Sequence, residues 1–405
     1  MLRTRRCPPP LPMFAARFIR MVLLSGILLS PGTVSAHDPS AFGGLFRSRD
    51  GGLTWFSANP GRIVSGAIAL AVNPVEPNHL LLATDSGLLR SRNAGLDWSL
   101  EAPSVLVGAV FAVAFDPAGR GALASTDTAL FRNDGGETWY AVTVPGGTLP
   151  ARLLVAAGAG RVYLVGWQQL YASDDWARSW TAIASPLAGA PVSHIVVARG
   201  TGTVYAVAGN RLWAMDDWMS AWRPVDAGLP HGGIDAVSVD PREPRQLWAT
   251  AAGQVFRSED RATTWRPWGR PIEDARVLVR GVAVSVRGRD AVLTTDRGLY
   301  RSADGKSWQM PGDSLPAHLE AWPLVRDPND PDTLYAGFAL VPYSELWRVA
   351  AERSAARSLG RVRGLAPTVT FFALAGLAAV GAVGWLWRYD RDRRARATAA
   401  AGRLK

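Results

Sequence analysis

The sequence predicts an all-β protein: a seven-bladed β-propeller of four-stranded blades, closed by its N- and C-terminal strands and followed by one C-terminal transmembrane helix. Three observations carry this expectation. A tryptophan closes a recurring motif at Trp55, Trp98, Trp139, Trp180, Trp222, Trp265 and Trp308, at spacings of 41 to 43 residues, the length of a four-stranded propeller blade. Each motif is preceded by a strand-like segment, and all but the first by two more in a fixed order. Residues 366–387 carry no charge.

Residues 1–36 read as a secretion signal. Arg3, Arg5, Arg6, Arg17 and Arg20 precede a short apolar run, Met21 to Ser30, and Val34-Ser35-Ala36 supplies small residues for cleavage. Ten apolar residues are too few to cross a bilayer.

Residues 37–350 read as the propeller. Immediately before each motif lies an alternating strand: GLFRS, GLLRS, ALFRN, QLYAS, RLWAM, QVFRS, GLYRS. Before it comes a second strand (HLLLAT, RVYLVG, TVYAVA, QLWAT, DAVLTT). Before that comes an apolar strand stopped by Asn-Pro or Asp-Pro (IALAVNP, VFAVAFDP, IDAVSVDP, PLVRDP), since proline cannot donate to a ladder. The chain enters on a third strand, Gly44 to Ser48, with no first or second strand ahead of it. The last unit, Trp322 to Ala350, offers first and second strands, a partial third (ELWRV) and no motif. The two ends are therefore expected to complete one blade, which removes the exposed sheet edges.

The motif itself has a physical reading. The fullest copy places Ser48, Asp50, Gly52, Thr54 and Trp55 in SRDGGLTW. A short carboxylate in a tight hairpin accepts backbone N–H groups the turn leaves unpaired, and hydroxyls do so more weakly. Glycine permits positive φ, and the tryptophan buries a large ring between blades. Further copies run Ser91 to Trp98, Ser173 through Asp175 to Trp180, and Ser258 through Asp260 to Trp265. RNDGGETW keeps Asp134 and Trp139 but has lost the serine. SADGKSW (Ser302, Asp304, Trp308) is one residue short, and MDDWMSAW keeps Asp217 and Trp222. These residues are read as folding staples.

Motif and turns together resemble the Asp-box, or bacterial neuraminidase repeat, superfamily of propellers, over about residues 44–349. That superfamily includes sialidases, xyloglucan-cleaving glycosidases, sortilin-type receptor ectodomains and photosystem II stability/assembly factors. The resemblance implies the fold and leaves function open. A sialidase-like glycoside hydrolase would need an Arg-Ile-Pro element before the first box, which is absent, with further arginines and a Tyr–Glu pair. None of the tyrosines lies in an acid-rich segment. The single short propeller is most similar to the assembly-factor and sortilin types, which act by binding. A surface receptor for a peptide or glycan would be marked by a large apolar channel.

Residues 351–365 form an Arg-rich juxtamembrane linker, with Arg353, Arg357, Arg361 and Arg363. Residues 366–387 would reach about 33 Å as a helix, enough to span a bilayer. Trp385 and Trp387 fall at the interface, and the basic tail 388–405 is denser in positive charge, placing it in the cytoplasm and the body in the periplasm or outside the cell. The formal net charge of +10 belongs to these ends, because residues 37–364 hold 32 basic and 32 acidic residues. A neutral body excludes a nucleic-acid footprint. Cys7, in the signal, is the only cysteine, and His37, His79, His194, His231 and His318 are scattered. No thiolate or clustered metal site, and no cofactor, is expected.

The expected function is a binding scaffold at the cell membrane, assisting assembly or stability of a membrane protein complex. Candidate partner contacts are Arg47, Arg90, Arg257 and Arg301, which recur at one strand position and would form a patch unless salt-bridged. Trp176 and Trp218 are further candidates, because they stand in turns where small or polar residues are usual. The competing expectation is that these two pack on neighbouring loops.

Overall fold

The computed structural model describes residues 43–353, except 147–148, 159, 168, 188, 232, 275, 286–287, 313 and 317. The expected signal, most of the linker, the apolar span and the basic tail lie outside the described residues. Among the described residues no helix is long and apolar enough to cross a membrane.

Seven antiparallel sheets form the ring. The chain opens with β1 (Gly44–Ser48) and β2 (Phe56–Ser57). Blade 1 is β3 (Ala67–Val72), β4 (Leu80–Thr84), β5 (Gly87–Ser91) and β6 (Ser99–Leu100). Blade 2 is β7 (Val110–Phe115), β8 (Ala122–Thr126), β9 (Leu130–Asn133) and β10 (Tyr140–Val142). Blade 3 is β11 (Leu153–Gly158), β12 (Arg161–Val165), β13 (Leu170–Ser173) and β14 (Thr181–Ile183). Blade 4 is β15 (Val192–Val197), β16 (Val204–Ala208), β17 (Arg211–Met215) and β18 (Arg223–Pro224). Blade 5 is β19 (Ile234–Val239), β20 (Leu247–Ala251), β21 (Gln254–Ser258) and β22 (Arg266–Trp268). Blade 6 is β23 (Val279–Val284), β24 (Ala291–Thr295) and β25 (Gly298–Ser302). The chain ends its strands with β26 (Glu320–Arg326) and β27 (Leu334–Ala339).

The two ends do complete blade 7, in the order β2-β1-β27-β26. β1 pairs with β27 from Gly44↔Phe338 to Ser48↔Leu334. Two elements differ from expectation. In blade 6 the fourth strand shrinks to one bridge, Arg301↔Gln309, where each residue's N–H meets the other's carbonyl at 2.8–2.9 Å. The next hydrogen-bonded pair would fall two residues on, at Pro311, which has no N–H to give. The second difference is ELWRV, which is helical and part of α1 (residues 343–353). The edge of β27 that a third strand would occupy is already taken by β1. Pro342 opens the helix by accepting from the N–H groups of Glu345 and Leu346. Tyr343, Leu346, Trp347 and Ala350 then make an apolar stripe at helical spacing, while Arg348 pairs with Glu345 and Glu352.

The first strand of each blade is innermost, and all seven begin at one face. α1 lies there. The Asp-Pro-type turns and the box turns lie at the opposite face. Cores form between blades rather than within them: Trp98, for example, buries with Leu45, Val64, Leu80 and Tyr335 across blades 7 and 1.

The inner strands share one irregularity. In five of them the ladder slips just after the first residue, between Ala67/Ala69, Val110/Ala112, Val192/His194, Ile234/Ala236 and Val279/Gly281, and in β26 just after the second, between Ala321 and Leu324. In blade 3 Arg152 gives its N–H to Val165 O, opposite the same residue that pairs with Leu153. Such bulges turn a side chain out of the alternating pattern. The displaced residues are Ile68, Phe111, Arg152, Ser193, Asp235, Arg280 and, in blade 7, Trp322 with Pro323; of these Ile68, Arg152, Ser193, Arg280, Trp322 and Pro323 line the channel mouth.

Candidate functional site: the lidded channel mouth

The box residues hold the turns of the far face. Asp50 Oδ1 accepts from the N–H groups of Leu53 and Thr54 at 3.0 and 2.9 Å, and Ser48 Oγ accepts from Gly52 N at 2.8 Å. Asp175 accepts from Arg178 N and Ser179 N, both at 2.9 Å, and Asp260 from Thr264 N at 2.8 Å. The carboxyls of Asp175 and Asp260 sit at about 2. For Asp175 the hydrogen bonds led by Ser179 together outweigh desolvation, the largest single cause; for Asp260 the bonds from Thr264 are largest. At Ser91 the carboxylate is replaced by Asn93, which accepts from Asp97 N at 2.8 Å. Ser302 accepts from Gly305 N and Asp304 from Lys306 N, both at 2.8 Å.

Two boxes depart from the sequence reading. In blade 2 Asn133, not Arg132, stands in the serine's register position, opposite Ala122. Asn133 accepts from Gly135 N at 3.0 Å and donates to Thr138 O at 2.9 Å. Asp134 is left to pair outside the turn with Arg132 and the Tyr140 hydroxyl. In blade 4 Asp217 uses its backbone, exchanging bonds with Ser220, and the neighbouring Asp216 forms a bidentate pair with Arg223. The box tryptophans reach back one blade: Trp98 Nε1 donates to Ala58 O, Trp222 to Ala184 O, Trp265 to Val225 O, Trp308 to Arg270 O, and Trp139 to the Glu101 carboxylate. Trp55 donates locally to Gly52 O, and Trp180 keeps a buried indole N–H without an acceptor among the described residues.

The proposed contact residues are mostly consumed by the fold. Arg47 donates to Ala94 O at 2.7 Å. Arg90 forks onto Glu101 at 2.6 and 2.7 Å and meets the His79 ring. Arg257 pairs with Glu259 and stacks on Trp248, and Arg301 pairs with Asp290. They stand on four consecutive blades, 5, 6, 7 and 1, at one strand position, each with its own partner. Trp176 is only 6% exposed, packed with Leu123, Leu154 and Val162 between blades 2 and 3. Its φ of 56° is the turn conformation that glycine takes in the fullest copy. Trp218 is half-buried against Tyr163, with Arg161 stacked on it. Both rings cover the preceding blade.

The channel mouth is where the described residues gather unusual chemistry. Arg280 is clamped on Glu320 at 2.9–3.0 Å. Glu320 also accepts from Tyr343 N at 2.8 Å, and the Tyr343 hydroxyl donates to Ala67 O at 2.6 Å. The hydroxyl is held well above its usual range by burial and then by Glu320. The His194 ring stacks on Trp322, and one ring nitrogen donates to Arg280 O at 2.7 Å. Burial pulls that imidazole down to about 4, so it is neutral at physiological pH and free to act as that donor. Asp235 is pushed up to about 6 by burial. Arg152 lies over Trp167 and Trp347, at 5.5 and 5.9 Å from the ring centroids. Trp347 in turn packs on Phe111, so α1 is seated on the rim. None of these residues belongs to the repeat, and their one sequence signal is a charged or aromatic residue interrupting the start of an apolar strand.

The arrangement differs from a sialidase clamp. Two arginines reach the mouth, one of them already neutralised by Glu320. The tyrosine that touches this glutamate does so through its backbone, with its hydroxyl turned to a carbonyl.

Fold and mouth define a seven-bladed propeller whose axial channel is capped at one face by its own chain. Solved structures with a similar fold include YCF48 bound to a D1 peptide (18% identity, TM-score 0.52, covering 70% of this chain and 95% of that one) and YCF48 from Cyanidioschyzon merolae (17%, 0.53, 68% and 96%). A GH74 xyloglucanase from Xanthomonas campestris is also similar (22%, 0.57, 71% and 53%), and this chain spans about half of that enzyme's length. No family model matches the sequence, and no curated protein does.

Proposed function

We propose that this chain is a membrane-anchored, extracytoplasmic binding scaffold that assists assembly or stability of a membrane protein complex. The observation that carries the reading is the state of the mouth. The groups a hydrolase would present to substrate are spent internally: Glu320 on Arg280 and Tyr343, and the Tyr343 hydroxyl on Ala67. α1 then covers them and leads on toward the apolar segment 366–387. A propeller of similar fold, YCF48, has been solved with a D1 peptide, which supports binding as a use of this architecture. The anchor, the export signal and the cytoplasmic tail are parts of the proposal.

The test is purification of the full chain from membranes in mild detergent. An integral membrane protein should co-purify in fixed ratio and survive a salt wash. Recovery of the free chain alone would overturn the scaffold reading. A second reading, a surface receptor, is favoured by one observation: the channel below the mouth is lined largely by aliphatic residues, Leu70, Ile195, Val237, Val282 and Leu324.

A further inference from the structure

The mouth is rich in hydrogen-bond donors and poor in acceptors. Arg152 carries five N–H groups, yet no carboxylate pairs with it among the described residues. It lies instead against two indoles, Trp167 and Trp347, that meet each other edge to face. One of these, Trp167, keeps its own N–H buried without an acceptor among the described residues. Arg280 is close enough to disfavour the charge on Arg152, and burial disfavours it more. The nearest acids are committed elsewhere or withdrawn: Glu320 already serves Arg280 and Tyr343, and Asp235 has no hydrogen-bonded partner among the described residues. A buried cation needs a counter-charge or well-placed acceptors, and here the fold supplies only aromatic faces, which compensate weakly.

Below this cation the surroundings change. The mouth cavity holds about 300 Å³. It shares Leu70, Ile195, Val196 and Val325 with a second cavity of about 590 Å³ nearer the far face, so the two form one axial passage. Its wall is the seven inner strands, six residues long in most blades, which gives a passage of about 20 Å. Aliphatic side chains line it, and the polar groups stand near its two ends.

We propose that the channel binds an apolar monocarboxylate lengthwise, with the carboxylate on Arg152 and the hydrocarbon chain down the axis. The head receives the guanidinium fork, a geometry suited to carboxylates. The tail is removed from water against Ile195, Val237, Val282 and Leu324. Arg280 is already paired with Glu320, so Arg152 is the cation left to a ligand, which makes a monoanion the fitting one. His194 is neutral and adds no charge. The proposal goes beyond both functional readings, since a scaffold or a receptor for a macromolecule could exist with an empty channel.

The test uses the full chain in lipid nanodiscs and a dodecanoate carrying a diazirine near its methyl end, with cross-links mapped by mass spectrometry. Labelling is expected on inner-strand peptides around residues 192–199, 234–239 and 279–284. Excess dodecanoate should suppress it, and dodecylamine should not. Arg152→Gln should lower it at least tenfold, Arg152→Lys should lower it less, and Arg62→Gln should leave it unchanged. Thermal melting of each variant checks folding, and if Arg152→Gln does not fold, the Arg152→Lys and amine comparisons decide. Labelling confined to the span 366–387, equal competition by the amine, or full labelling of the Gln variant would overturn the proposal. Suppression by a Val-Leu-Leu peptide with a free C-terminus, but not by dodecanoate, would overturn the fatty-chain assignment in favour of a peptide end. The co-purification experiment reads the scaffold separately, so either idea can fail alone.

Discussion

Replacing Asp235 with Asn should stabilise the folded propeller at neutral pH and do much less in acid. The residue sits on the bulge of β19, and burial raises it from 3.8 to about 6, an effect only partly offset by Arg280. That difference of about 2 pH units corresponds to roughly 3 kcal/mol, at about 1.4 kcal/mol per unit. Its sign follows from linkage. The folded state holds this proton more tightly than the unfolded chain does. Below about pH 3.8 both states are protonated and no penalty exists. As the pH rises through the window between 3.8 and 6 the penalty grows, and above 6 it is complete. Asparagine is close in shape to the protonated acid and carries no charge at any pH. The variant should therefore gain up to about 3 kcal/mol at pH 7.5 and less than about 1 kcal/mol at pH 4. Urea unfolding of wild type and variant at both values, read by tryptophan fluorescence, measures this. An equal gain at the two pH values would show a steric rather than an electrostatic cause. A loss at pH 7.5 would show that the Asp235 carboxylate is held by a favourable pair, and the reasoning would fall.

Asp50→Ala removes the acceptor for two backbone N–H groups and two hydroxyls, and should cost about 1–2 kcal/mol in urea melts. Asp217→Ala, whose carboxylate staples no turn, should stay within about 0.5 kcal/mol. Gly52→Ala should be more severe, at about 2–5 kcal/mol: the glycine has φ +92° and an added Cβ would lie 2.3 Å from Val292 Cγ2 on the neighbouring blade. Thermal unfolding with an Asp50→Ala control would check it. Trp176→Ala should cost about 3–5 kcal/mol by opening the blade 2–3 interface, while the ratio of any co-purified partner stays unchanged. Lost partner without lost stability would restore Trp176 as a contact residue.

The ring was legible because each blade repeats one short program whose tryptophan recurs at nearly constant spacing, and because Gly44 to Ser48 lacked two preceding strands. What escaped the sequence depended on neighbours distant along the chain. ELWRV alternates well enough to be a strand, and becomes helix because β1 already occupies the edge beside β27. Pro311 ends blade 6 only because it falls on a hydrogen-bonding rather than a non-bonding register position. Aligning the second box on its tryptophan hid the fact that Asn133 takes the serine's place, in a turn one residue shorter. The mouth was the least legible feature. It draws on residues of several blades, at bulges that strict alternation does not anticipate, and Arg152 becomes significant only once Trp167 and Trp347 are seen packed against it.

Blade 7 sets the timing of folding as well as the shape of the ring. The Tyr343 hydroxyl meets Ala67, 276 positions earlier in the chain, and β1 waits for β27 over a similar interval. At a synthesis rate of about 5–20 residues per second, the first strand spends roughly 15 to 60 seconds without its partner. During that time its unpaired edge is open to misassembly and proteolysis. A product truncated before residue 320 never gains the strand that would hide this edge. The pairing thus ties closure of the ring to completion of the chain: β1 gains its neighbour only when β27 is in place, and α1, the next element, then covers the channel mouth.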